Sequence, residues 1–254
     1  MKSGKKQIAA VILAAGLGKR MKSSKAKVLH ELLGKPLVIY VVETAKAVAG
    51  ENIILVVGNQ ADEVRKAVLQ HTPAIFALQK TQLGTGHAVL SALPHLPPDV
   101  EHVVILCGDV PLLAAATVKR MLEDHIASDR DLTLLGVRLE SPSGYGRIVF
   151  DEKGEVSKII EEADATDEEK KICIVNTGTY CARRSFLTDT LEKIRTDNAQ
   201  GEFYFTDVVR IGYAERRRIG AVVGSNPGEV MGINTQDDLE RMEKVMKTGC
   251  IEKP

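Results

Sequence analysis

The sequence predicts a doubly wound α/β fold, a mostly parallel sheet covered by helices on both faces, with a smaller lobe attached. Three observations carry this expectation. Short runs are apolar at nearly every residue, helical patterns alternate with those runs, and glycine-containing loops follow the runs directly. A strand apolar on every residue is buried on both faces, the mark of a parallel sheet between helical layers. Alternation of such strands with helices is the doubly wound pattern.

The first run, Gln7–Leu13, leads to Gly16. Asn52–Val57 closes at Gly58, His102–Leu106 runs into Cys107-Gly108-Asp109, and Asp131–Val137 is a fourth strand. Between them, Gln60–Gln70 sets Ala61, Val64 and Val68 on one helical face. Thr85–Leu93 reads as a helix ending at Pro94, and Ala114–Ala127 as another after Pro111. Beyond about Ser141 the pattern changes. Ser141–Gly146 is turn-rich, Arg147–Phe150 and Glu155–Ile160 read as strands, and Glu161–Lys171 is highly charged. This implies a first part over approximately 1–140 and a second lobe with a return to the sheet over 141–234. A last helix, Gln236–Lys247, carries Leu239, Met242 and Met246 on one stripe, with Thr235 as its cap and the tail running to 254.

The chain has 254 residues, 34 Lys+Arg and 34 Asp+Glu, and is 44% hydrophobic. Neutral balance argues against a nucleic-acid coat or an anionic-membrane binder. Five Tyr, five Phe and no Trp are too few for base-stacking platforms. Four scattered cysteines, Cys107, Cys173, Cys181 and Cys250, form no C-x-x-C pair, which suits a reducing cytoplasm. Lys2, Lys5 and Lys6 before an apolar run resemble a leader. The run is short and is followed at once by Lys19, Arg20, Lys22, Lys25 and Lys27, so translocation is not expected. No run reaches the length of a membrane span.

In open α/β sheets ligands bind beyond the carboxyl ends of the strands, so the residues after each run are the candidates. Leu13-Ala14-Ala15-Gly16-Leu17-Gly18-Lys19-Arg20-Met21 follows the first strand. Glycines at 16 and 18 allow backbone geometries and close approaches that a Cβ would block. Backbone N–H groups there can cradle phosphate oxygens, with Arg20 and Lys27 adding charge. An ordinary strand-to-helix turn is the alternative. Met21 breaks both the Walker loop and the dinucleotide fingerprint, which excludes an NAD-dependent oxidoreductase. Asp109, at the end of the third run, is placed either to ligate Mg²⁺ or to cap a turn. Gln79, in the polar run Leu78–His87, can donate and accept at once, which suits a base edge such as that of uracil; Thr85 there could be no more than a helix cap. Glu123, Asp124 and His125 look metal-like but read as a solvated helix face.

Taken in order, these segments resemble the N-acetylglucosamine-1-phosphate uridyltransferase family. The motifs are V-I-L-A-A-G-x-G-x-R-M, K-V-L-H (27–30), L-Q-x-x-Q-L-G-T-G-H-A (78–88), G-D-V-P-L (108–112), G-Y-G-R, I-x-E-x-x-D-A-T-D-E (159–168), N-T-G (176–178), N-A-Q-G-E-F-Y-x-T-D (198–207) and G-I-N (232–234). They span about Gln7 to Lys247. The resemblance implies a Rossmann-like fold of the nucleotide-diphospho-sugar transferase type with a smaller sugar-binding lobe. It also implies a transferase that joins UTP and N-acetylglucosamine 1-phosphate into UDP-N-acetylglucosamine and pyrophosphate. Leu13, Ala14, Ala15 and Gly16 are then expected to border the nucleotide, with Arg20 and Lys27 on its phosphates. Gln79, Gly84 and Thr85 would read the uracil, beside Cys107 and Gly108. Asp109 and Asn234 would hold Mg²⁺, and Gly146, Glu161 and Asn176 would surround the sugar.

Several positions depart from the family pattern. Lys19 stands where Thr is frequent, Ala26 where Pro is common, Cys107 where Tyr or another polar residue is usual, and Ala163 where Lys is usual. The bifunctional members continue into a left-handed β-helix that acetylates glucosamine 1-phosphate and forms the trimer. The chain stops at Gly249–Pro254, so no acetyltransferase activity is expected and the oligomeric state does not carry over. The rival readings are a nucleotidyltransferase for another NTP or sugar 1-phosphate and a silent nucleotide-sugar sensor.

Overall fold

The computed structural model describes residues 7–248; the lysines at 2, 5 and 6 and Cys250 lie outside it. In chain order the elements begin with β1 (Gln7–Ala14) and a short hairpin, β2 (Glu31–Leu32) with β3 (Lys35–Pro36). They continue through α1 (Leu37–Ala49), β4 (Ile53–Val57), α2 (Ala61–Leu69), β5 (Ile75–Leu78), α3 (Thr85–Ala92) and β6 (Val100–Cys107). Next come α4 (Ala115–Ala127), β7 (Leu132–Arg138), β8 (Arg147–Phe150), β9 (Val156–Ile160) and β10 (Ile174–Arg183). The order ends with α5 (Arg184–Leu191), α6 (Asp207–Ala214), β11 (Ile219–Gly224) and α7 (Gln236–Thr248).

The main sheet runs β11-β7-β10-β6-β1-β4-β5. β1 pairs in parallel with β4 and β6, β4 with β5, and β7 with β11. β10 alone on this path is antiparallel, lying between β6 and β7, and the β8–β9 hairpin hangs from its first half. Along β1, Ala10, Ile12 and Ala14 pack into one core with α1, α2 and α4, while Ala9 and Val11 pack into the other with α3, α5 and α6. All five residues of β4 are fully buried, as its unbroken apolar run predicts. Each such side chain contributes about 1.5–3 kcal/mol of burial. A third cluster, containing Leu32, Leu37, Tyr40, Leu112, Ile233, Met242 and Met246, fastens α7 to the β2–β3 hairpin.

The metal-like trio on α4 divides differently from expectation. Glu123 is exposed and Asp124 pairs with Arg130, but His125 is fully buried. It lies on the helical stripe of Val118, Met121 and Leu122 that faces the sheet. Its Nδ1 lies 2.9 Å from Thr133 Oγ1 and its Nε2 3.1 Å from His102 Nδ1, so a hydrogen-bonded pair of histidines occupies the core there. Among the described residues no helix is long and apolar enough to cross a membrane.

Candidate active site

A cleft of about 580 Å³ opens where β1, β5 and β6 end. Of the residues singled out in the sequence, Leu13, Ala14, Ala15, Gly16, Arg20, Lys27, Gln79, Gly84, Thr85, Cys107, Asp109 and Asn234 line it. Gly108 lies behind the wall: its N–H donates to Leu13 O at 3.0 Å, and a Cβ would press on that same oxygen. This bond ties the loop after β1 to the loop after β6.

The two glycines of the first loop differ. Gly18 has φ 60°, and a Cβ there would come within 2.8 Å of Lys27 Cβ, so glycine is required where the basic segment folds back. Gly16 needs neither a left-handed φ nor a close approach, since a Cβ would meet nothing within 4 Å. What its missing side chain provides is open cleft. Of the five nearby cations, Lys19, Arg20 and Lys27 line the cleft, whereas Lys25 turns to Glu31 and Lys22 lies off the wall.

Four polar groups, two of them from distant parts of the chain, converge at one end of the cleft. Lys27 Nζ is ion-paired with Asp109 Oδ2 and lies 3.1 Å from Asn234 Oδ1, which also accepts from Arg20 at 2.8 Å. Two backbone devices hold this arrangement. Ile233 N–H donates to Asp109 O at 2.9 Å, and Asp238 accepts from the N–H groups of Asn234 and Thr235 at 3.1 and 2.9 Å. Thr235 Oγ1 accepts from Asp238 N–H in return, the reciprocal capping box of α7.

One ammonium therefore lies between a carboxylate and an amide oxygen. Two hard oxygen donors already sharing one cation fit Mg²⁺, which takes one or two protein ligands and completes its octahedron with phosphate and water. Among the described residues no group of three or more His, Cys, Asp or Glu is arranged to hold a metal, so substrate oxygens would have to supply the rest.

At the opposite end, Gln79 is almost completely buried, with Nε2 3.1 Å from Gly84 O and 3.0 Å from His87 Nδ1. Its loop is strapped to the segment before α6. Phe203 N–H donates to Leu83 O, Gly86 N–H to Phe203 O, and Phe205 N–H to Thr85 Oγ1, at 2.7–2.9 Å. Thr85 thus uses its hydroxyl to hold the strap, and the cap position of α3 is Gly84.

Gly146, Glu161 and Asn176 gather beside the cleft rather than in its lining. Asn176 N–H donates to Gly146 O at 2.8 Å, and a Cβ on Gly146 would lie 3.3 Å from Glu161 Oε2. Asn176 Nδ2 donates to Tyr180 Oη at 2.7 Å, and Thr206 Oγ1 donates to Glu161 Oε1 at 2.8 Å. Cys107 joins the two regions, its Sγ 3.4 Å from Gly178 O. Burial, then the charge of Asp109, pushes this thiol up to about 12, so it is a packed group rather than a nucleophile.

Burial also raises the pKa of Glu161, against the hydroxyl of Thr206, which favours its ionised form. Between its unfolded and its higher folded value the native state keeps a proton that the unfolded state has released. This group's contribution to stability is therefore lost as pH rises through that window. Glu161→Gln is expected to stabilise the fold more at about pH 8 than at about pH 4. Equal shifts in Tm at both would remove the role assigned to burial.

The turn that carries Gly146 is held by Arg147, which is 1% exposed. Its guanidinium bonds Tyr145 O and Lys170 O and pairs with Glu162 at 2.6 Å. Arg147→Ala is expected to cost about 2–4 kcal/mol in urea unfolding, below the loss for a fully enclosed pair because Glu162 keeps access to water. A loss under about 0.5 kcal/mol would place the charge at the surface energetically.

Some lining residues carry no local signal of their own. Gln200 and Glu202 belong to the N-A-Q-G-E stretch and reach the cleft only because the strap folds back on Leu83 and Thr85. Gln82, Lys19 and Gly18 fall inside the quoted loops, and their proximity to the candidate residues is the signal for them.

A mostly parallel sheet, a cleft beyond its strand ends and a basic corner in that cleft define a Rossmann-like α/β protein with the nucleotide-sugar transferase fold. The chain belongs to the MobA-like NTP transferase domain family, whose model matches residues 10–174. Among curated relatives, the bifunctional protein GlmU of Trichlorobacter lovleyi is 44% identical over 239 residues, 94% of this chain and 52% of the relative. GlmU of Geobacter metallireducens is 47% identical over 232 residues, covering 91% and 49%. GlmU of Desulfotalea psychrophila is 38% identical over 240 residues, covering 94% and 70%. The chain spans about half the length of the first two. A crystal structure described as a glucose-1-phosphate thymidylyltransferase of Bacillus anthracis, with sucrose, has the same fold: TM-score 0.75 at 18% identity over 94% of each chain.

Proposed function

We propose that the chain transfers UMP from UTP to N-acetylglucosamine 1-phosphate, giving UDP-N-acetylglucosamine and pyrophosphate. The observation that carries this reading is the convergence of Lys27, Arg20, Asp109 and Asn234 at one end of a cleft whose other end holds Gln79. The GlmU relatives support it. Residues up to about 140 serve the nucleotide and those from 141 to 234 the sugar, with the last helix fixing Asn234.

The chemistry asks for positioning and charge control rather than covalent help. A phosphate oxygen of the sugar 1-phosphate attacks the α-phosphorus in line. The bond from that phosphorus to the β-phosphate bridging oxygen breaks, and pyrophosphate leaves with the electron pair. The nucleophile is already an anion, so no general base is required. Arg20 and Lys27 draw the triphosphate into place and offset its charge. A bound Mg²⁺, held by Asp109 and Asn234, would neutralise phosphate charge further and orient the oxygens. Gln79 with Gly84 and Thr85 receives the base, while Glu161 and Asn176 pair with hydroxyl or acetamido groups. Such substrates and the free thiols among the described residues, Cys107, Cys173 and Cys181, suit a cytoplasmic setting.

Pyrophosphate release across a grid of NTPs and sugar 1-phosphates with Mg²⁺ tests the proposal. UTP with N-acetylglucosamine 1-phosphate is expected to lead every other pair by about tenfold or more in kcat/KM. A lead by another pair would reassign the substrates. UTP binding without turnover on any pair would make the chain a sensor.

A further inference from the structure

Gln79 Nε2 carries two hydrogens, and two acceptors take them: Gly84 O at 3.1 Å and His87 Nδ1 at 3.0 Å. A carbonyl oxygen accepts and cannot donate, so the amide atom facing Gly84 is the nitrogen. Because that nitrogen also donates to His87, Nδ1 is the bare ring nitrogen and the ring proton sits on Nε2. Gln79 Oε1 accepts no hydrogen bond from the described residues and is not among their buried unpaired atoms. Gln79 lines the cleft, whereas His87, in the first turn of α3, does not. A ligand arriving at this amide thus meets its oxygen, an acceptor, while both of its N–H groups are engaged.

We infer that His87 is a positioning residue that fixes which way round Gln79 presents its amide, and so sets which bases the cleft accepts. The inference rests on the proposal that Gln79 meets the base. Uracil offers N3–H to Oε1. Cytosine offers a lone pair at N3, and two acceptors face to face repel. Without the His87 acceptor, one N–H of a side chain only 3% exposed loses its partner. Any rotation that re-pairs that N–H then becomes favourable, and the amide no longer presents oxygen alone.

The test is the ratio of kcat/KM for UTP over CTP in His87→Leu, His87→Asn and Gln79→Ala. His87→Leu is expected to lower the ratio by about tenfold, the worth of one net hydrogen bond. His87→Asn, whose amide oxygen can accept, is expected to stay within about threefold of the parent ratio. A parental ratio in His87→Leu, or an asparagine variant no better than the leucine one, overturns the inference. An unchanged ratio in Gln79→Ala instead overturns the base contact itself. A lowered ratio in Gln79→Ala alone leaves that contact standing and removes His87 from it. Nitrogen-15 chemical shifts of His87 in the unaltered protein give an arm that needs no variant: a proton on Nε2 is expected, and a proton on Nδ1 overturns the inference.

Discussion

Asp109→Ala is expected to lower kcat by about 10³-fold while moving Tm by no more than about 4 °C. The asymmetry follows from what the residue does with each of its parts. Its backbone oxygen accepts from Ile233 N–H, and alanine keeps that bond and the course of the chain into α7. Its carboxylate is partly exposed and, among the described residues, is ion-paired only with Lys27, so little packing is lost. The lost charge is the one that holds Lys27 in place and, under the proposed function, would offer the hard oxygen for a divalent cation. A factor of 10³ is about 4 kcal/mol of transition-state stabilisation, within what one well-placed electrostatic group supplies. Asp109→Asn sharpens the result, because its amide oxygen could still face the ammonium without a charge. Turnover near the parental value in either variant at ordinary Mg²⁺ would remove Asp109 from the reaction.

The second large effect is structural and reaches the nucleotide indirectly. Gly84 has φ +114°, and a Cβ there would lie 2.6 Å from Phe203 O and 2.8 Å from Phe203 N. Both obstacles are backbone, so no rotamer change relieves them. Gly84→Ala must therefore break the Phe203–Leu83 and Gly86–Phe203 bonds or move the whole strap. The left-handed backbone alone costs about 1–3 kcal/mol, and the steric conflict adds to it. Tm is expected to fall by about 5 °C or more, and UTP affinity by more than about tenfold as Gln79 and Thr85 lose their frame. Gly16→Ala is the comparison for stability, since a Cβ there meets nothing. A Gly84→Ala protein as stable as Gly16→Ala would mean that the strap yields freely.

Sequence patterns resolve this molecule best where one residue type has one structural use. The fully apolar β4 and the stripe of α7 form as their periodicities predict, because burial on two faces or on one leaves different spacings. Leu37–Ala49 is harder, since L-V-I-Y-V-V suits a buried strand equally well. It becomes helix α1, starting after Pro36 and packing against β1 along its length. β10 is harder still: Asn176, Thr177, Gly178 and Thr179 interrupt its apolar run. The structure absorbs them in a register shift, with Gly178 at φ 76°, which brings Asn176 to Gly146. The charged face expected for α4 fails at His125, because a helical wheel assigns a side but not what another strand brings to meet it. At the site, strand-end logic finds the residues after β1 and β6. Residues 198–206, which close the cleft from far along the chain, follow from no local rule.

The position of β10 has a consequence for how the protein comes into being. β6 and β7 are neighbours in sequence but not in the sheet, and the strand that separates them is made some 36 residues after β7 ends. During synthesis the first 140 residues can pair β1, β4, β5 and β6, but β7 has no strand beside it until β10 and β11 leave the ribosome. Nascent chains halted before residue 174 therefore carry three strand edges that the finished sheet covers, one on β6 and both of β7, the form of chain that chaperones hold and that aggregates when they do not.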